Sequence, residues 1–196
     1  MHKVGLGIAV LAAGLFAAPV AHAQMKVTSD DVKNGAVGPK SMEANVFGCD
    51  GGNLSPSLKW TDVPEGTKSF AIILFDPDAP TGPPPNGKRG FWHWIAFNIP
   101  ASTTSIPKNA GDVKAKLMPD GVIQSRNSYG FDGYGGMCPP EGDKAHHYHL
   151  TLYAVDEDKL QFAKDDMISP EVVGFETHFH SKGTAALNWT YSRPKK

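Results

Sequence analysis

Phe70-Ala71-Ile72-Ile73-Leu74-Phe75-Asp76-Pro77-Asp78-Ala79-Pro80 is an unbroken apolar run that ends abruptly in two carboxylates set among prolines. Its β-branched and aromatic residues, bounded by turn formers, predict a short buried strand. Pro77 and Pro80 break any ladder, so the strand stops at Asp76. Pro77 also fixes the backbone between Asp76 and Asp78. Such a turn can hold one carboxylate over a cavity, although an ordinary Asp-Pro turn has the same sequence.

Strand signals continue outward from this run. Trp92–Ile99 is the next, stopped by Pro100, and His149–Val155 alternates as a third. Ala185–Tyr191 predicts a last strand with Trp189 and Tyr191 on one face. Two segments carry helix signals. Asp156–Phe162 opens with acidic residues, which suit a helix N-terminus. Ser169-Pro170-Glu171 places a cap before a proline at the first helical position, predicting a helix to about His180 that ends near Gly183. The 21 glycines and 16 prolines are spread throughout, which punctuates the chain into many short elements. The fold expected is mainly β: a two-sheet antiparallel β-sandwich with a few short peripheral helices.

The N-terminal segment stands apart. A short cationic start, Met1-His2-Lys3, precedes an apolar run from Val4 to Val20 and then Ala21-His22-Ala23. This is the layout of a secretory signal peptide cleaved after Ala23, against an uncleaved anchor. The expectation is a leader over 1–23, one domain over 24–196, and a periplasmic or secreted protein. No later stretch is long and apolar enough for a transmembrane anchor. The net charge of −1 gives no footprint for nucleic acid or for a polybasic contact with membrane. Cys49 and Cys138 fit no CxxC spacing, and export favours an oxidising compartment, so a structural disulfide is expected between them.

Three segments could carry chemistry: Asp76–Pro80; His93 between Trp92 and Trp94; and Gly133–Gly142 followed by His146-His147-Tyr148-His149. Strand alternation sends His93 to the face opposite both tryptophans, puts His146 and Tyr148 on one face, and puts His147 and His149 on the other. A hydrogen-bonded core histidine would look the same as a ligand group at position 93. The Gly-rich loop reads either as an anion-binding nest or as a flexible connection. A metal held by Asp76, His93 and His146 is the rival use of these residues, but no HExxH or Cys/His zinc spacing is present. No nucleophile elbow, Walker loop or dinucleotide fingerprint occurs. Neither catalysis, a metal nor a cofactor is therefore expected, with a hydrolase using His93 or His146 as base the remaining enzymatic alternative.

Taken in order, the motifs resemble the phosphatidylethanolamine-binding protein family, in particular its bacterial Raf-kinase-inhibitor-like branch. They are Gly52-Asn53-Leu54-Ser55-Pro56-Ser57-Leu58-Lys59-Trp60, Val63–Ser69, Asp76–Pro80, Trp92-His93-Trp94 through Asn98-Ile99-Pro100, Gly136–Gly142 with His146 and Tyr148, Leu152–Val155, and Thr190–Arg193. The resemblance implies a two-sheet fold and a small anion pocket built from Asp76, Asp78, His93, His146 and Tyr148. The loop Gly136-Met137-Cys138-Pro139-Pro140 would provide backbone donors. It implies a phosphate-like anion or phospholipid headgroup as ligand. A protein partner, in a regulator or inhibitor of a protease or host protein, is the alternative. Met137 and His147 depart from proline and arginine, which are common at these positions among relatives, and the Pro83–Gly87 loop is expected to reshape the rim.

Overall fold

The computed structural model describes residues 24–82, 89–162 and 168–195. The expected leader and the Pro83–Gly87 loop lie outside the described residues. Eight strands are present among them: β1 (Lys26–Thr28), β2 (Leu58–Thr61), β3 (Ser69–Asp76), β4 (Phe91–Pro100), β5 (Ser105–Ile106), β6 (Ile123–Gln124), β7 (His146–Val155) and β8 (Ser181–Tyr191). Among the described residues, one helix, α1 (Pro170–Phe179), precedes β8, and a single 3-10 turn covers Lys40–Met42. The strands form two antiparallel sheets, ordered β1-β2-β5 and β6-β4-β3-β7-β8. No helix among the described residues is long and apolar enough to cross a membrane.

β3 is the central strand of the larger sheet and is covered on both faces. Phe70, Ile72 and Leu74 enter the main core with Leu58 and Trp60 of the smaller sheet. Ala71 and Ile73 join a second cluster with Val173 of α1 and Leu160. A doubly covered strand has no polar face, which is why its sequence is apolar without interruption. Each fully buried Ile, Leu or Phe contributes about 1.5–3 kcal/mol relative to exposure. β7 instead alternates from His146 to Tyr153, with its exposed or half-buried positions on the face away from the main core.

The expected strands all form, and β7 and β8 start earlier than predicted. α1 begins as predicted, with Ser169 Oγ accepting from Val172 N and Pro170 in the first turn. It ends at Phe179 with His180 as its C-cap, close to the predicted His180, and β8 takes over at Ser181 before Gly183 is reached. The helix expected at Asp156–Phe162 does not form. Its backbone is bonded elsewhere: Glu157 O accepts from Ser69 Oγ, and Leu160 N donates to Asn98 Oδ1. Seven residues give too few internal bonds to outweigh these partners.

Over Asn188–Thr190 the outer edge of β8 is covered by main chain. Gly35 N donates to Asn188 O, Gly38 N to Thr190 O, and Thr190 N to Ala36 O. Cys49 and Cys138 are joined in a disulfide with a Cα–Cα distance of 5.9 Å. The bridge ties the loop before β2 to the loop before β7.

Candidate functional site

β3 runs antiparallel to both β4 and β7, so its C-terminal end lies beside their starts. Asp76 pairs with Phe91, and Phe75 with His149. This register gathers Asp76, His93, His146 and Tyr148 at one end of the sheet. There they line a cavity of about 270 Å³. Phe47, Phe91, Tyr129, Cys138 and Pro140 contribute to its wall.

His93 reaches this cavity through a fault in the ladder. Leu74 pairs with Trp94 while Phe75 pairs with Trp92, leaving His93 as the extra residue of a β-bulge. The expectation that both tryptophans lie opposite His93 is therefore corrected. Trp94 enters the main core together with Tyr148, whose ring centroid is 5.2 Å from that of His93. Only Trp92 packs on the far face. Simple alternation fails because a bulge re-aims one side chain.

The hydrogen bonds define the protonation of His93. Its Nδ1 lies 2.7 Å from Gly135 O, and a carbonyl only accepts, so Nδ1 carries the proton. Burial pushes its pKa down, against the smaller opposing effect of the Gly135 carbonyl. The ring is thus neutral, with Nε2 left as an acceptor. Nε2 is buried and has no hydrogen-bond partner. The Tyr148 hydroxyl is likewise buried without one. Burial, reinforced by the nearby Asp76 carboxylate, pushes the Tyr148 pKa far up, so the phenol keeps its proton.

Asp76 and His146 form a fixed pair. Asp76 Oδ2 is 2.7 Å from His146 Nδ1, and Asp76 Oδ1 accepts from Asp78 N at 2.8 Å. His146 Nε2 faces Asp143 Oδ2 at 3.3 Å. That hydrogen bond holds the Asp143 carboxyl below the usual range. Both nitrogens of His146 are thus turned to carboxylates, leaving His93 Nε2 as the imidazole nitrogen offered to the cavity.

Two expected contributions are placed differently. The Asp78 carboxylate does not line the cavity. Its Oδ2 accepts from His147 N at 3.0 Å and lies 2.7 Å from His147 Nδ1, on the outer face of β7. The expected backbone donors at Gly136 and Met137 are already occupied. Gly136 N donates to Asn53 Oδ1 and Met137 N to Met42 O. Gly136, Met137 and Pro139 do not line the cavity, whereas Cys138 and Pro140 do. Met137 is fully buried, with its sulfur against the Trp189 indole NH. The glycines serve close packing instead of forming an anion nest. A Cβ at Gly135 would collide with the Tyr129 ring, and one at Gly136 with the backbone of Met42 and Ala44.

Several contributors were not singled out from sequence. Tyr129 is the central one: its ring packs edge-on to Phe91 and His93, and its hydroxyl donates to Gly136 O at 2.8 Å. Phe47, Phe91, Ser128 and Asp143 are the others. The polar and glycine-rich segment Asn127–Gly130 reads as a turn, and nothing in it marks Tyr129 as facing inward. Among the described residues, no lysine or arginine lines the cavity.

The comparisons with known proteins agree with this architecture. The family model described as phosphatidylethanolamine-binding protein matches residues 28–192. The chain belongs to the phosphatidylethanolamine-binding protein family. Within that family it is 43% identical to the UPF0098 protein YbcL of Escherichia coli over 169 residues, covering 86% of this chain and 88% of YbcL. It is 42% identical to YbhB of the same organism, covering 86% of this chain and all of that one (100%). The crystal structure of E. coli YbcL, a member of the mammalian PEBP family, superposes with a TM-score of 0.79, covering 87% of this chain and 99% of that one. The Chlamydia trachomatis homologue CT736 follows at 0.69 and 29% identity, with coverage of 87% and 98%.

Proposed function

We propose that this family member is an exported, non-enzymatic binding protein whose cavity takes a phosphate-bearing ligand or a phospholipid headgroup. One observation carries the reading: an acceptor, His93 Nε2, and a donor, the Tyr148 hydroxyl, are both buried without partners in the same cavity. An unpaired buried polar atom costs about 1–3 kcal/mol. A ligand that supplies both missing bonds recovers that energy on binding. A phosphate group with one P–OH is such a ligand, since the P–OH donates to His93 and a second oxygen accepts from Tyr148. Phosphate monoesters carry that proton below a second pKa of about 6. Export is supported by the leader-like segment 1–23, and the two-cysteine bridge fits an oxidising compartment.

The test is an NMR titration of the protein with phosphorylethanolamine and methyl phosphate, following the His93 and Tyr148 ring resonances. Both rings are expected to shift at millimolar ligand, and His93→Ala to weaken binding at least about tenfold, the value of one recovered buried hydrogen bond. Unchanged resonances at saturating concentration would refute the assignment.

A further inference from the structure

The turn Val46-Phe47-Gly48-Cys49 is built against its own sequence. Cys49 N donates to Val46 O at 3.0 Å, and both central residues have positive φ, 52° at Phe47 and 78° at Gly48. A turn with φ positive at both centres favours Asn, Asp or Gly, and a bulky residue in the left-handed region is strained. Phe47 is also 76% exposed, so it does not repay that strain by filling the core. Strain and exposure at one residue of a cavity wall point to a role in binding.

The surroundings show what Phe47 is held for. Its ring stacks on Tyr129, with centroids 5.7 Å apart and planes 21° from parallel, and Tyr129 stacks in turn on Phe131 at 5.6 Å and 14°. Tyr129 reaches His93, so this aromatic row runs from the unpartnered Nε2 out through the cavity mouth. The turn is pinned on both sides. Cys49 is bonded to Cys138, itself a wall residue, and Arg193 Nη2 donates to Gly48 O at 2.6 Å.

We propose that Phe47 and Tyr129 form an aromatic subsite at the cavity mouth, and that the ligand carries a planar aryl group close to its phosphate-like head. The inference rests on the headgroup reading above. The open face of Phe47 is the continuation of an existing stack, and flat rings gain more from such a face than their area alone provides.

The experiment compares methyl, butyl and phenyl phosphate by calorimetry or NMR on the wild type, Phe47→Asn and Phe47→Tyr. Asn suits the left-handed turn, so Phe47→Asn removes the ring while relieving strain. Phenyl phosphate is expected to bind the wild type about tenfold tighter than methyl phosphate. Butyl phosphate should fall near methyl phosphate. In Phe47→Asn the phenyl advantage over methyl phosphate is expected to shrink below about threefold, with the melting temperature equal or higher. Phe47→Tyr should restore the preference. A phenyl advantage that survives Phe47→Asn, a butyl ester that matches phenyl, or a lower melting temperature in Phe47→Asn overturns the subsite alone. Absence of binding by all three esters overturns the headgroup reading and the subsite with it.

Discussion

His93 is fixed as a neutral acceptor by its position in a bulge, its bond to the Gly135 carbonyl, and complete burial. That has a thermodynamic consequence. Its folded pKa lies below the ordinary value of 6.5. Between those two values the unfolded chain binds a proton that the native state refuses, so stability rises with pH across that window and falls on acidification below about 6.5. His93→Gln is expected to lack this contribution. The difference in unfolding free energy between wild type and variant should change by at most about 1.4 kcal/mol per pH unit within the window, measured by urea titration from pH 5 to 8. Parallel curves would mean that His93 does not resist protonation. The same residue shows where sequence reading stops. His93 was legible as a site candidate from its place beside two tryptophans, but the ladder fault that turns it inward depends on how β3 and β4 register, which no local pattern encodes.

The loop from Gly133 to Pro140 acts as a support beneath the cavity. Gly135 bonds His93 reciprocally, its N–H donating to His93 O and its carbonyl accepting from Nδ1. It also lies so close under Tyr129 that a methyl group would strike the ring. Gly135→Ala is expected to displace Tyr129, destabilise the fold by about 1–3 kcal/mol, and weaken methyl phosphate binding. Chemical denaturation and the titration above measure the two effects, and an unperturbed variant would show that Tyr129 has room to move. The strands and α1 were legible because their signals are local: apolar runs, alternation, and the Ser-Pro cap. The glycines were ambiguous because close approach is decided by whatever packs above them. Asp78 was assigned to the cavity by the family resemblance, yet it sits in the turn that follows β3, where the strand's alternation no longer sets its direction, and its carboxylate is held by His147.

The disulfide joins positions 89 residues apart, so it removes much conformational freedom from the unfolded chain. The Cys49→Ala/Cys138→Ala protein is expected to lose about 2–4 kcal/mol, read from urea midpoints. Wild type in reductant should match the double variant in oxidant, and identical wild-type midpoints with and without reductant would show that the bridge contributes nothing. Arg193, which holds Gly48 O, Pro139 O and Glu141, is a second link between the two loops beside the disulfide. The larger sheet has two ends with very different histories. At one end β6 is only two residues long and offers little backbone for another strand to copy. At the other, β8 is eleven residues long, and over Asn188–Thr190 its outward amides and carbonyls are masked by the strip from Gly35 to Gly38. Release of that strip would open this stretch of edge to pairing with another chain, so a few residues ahead of the first long loop guard the sheet against edge-to-edge association.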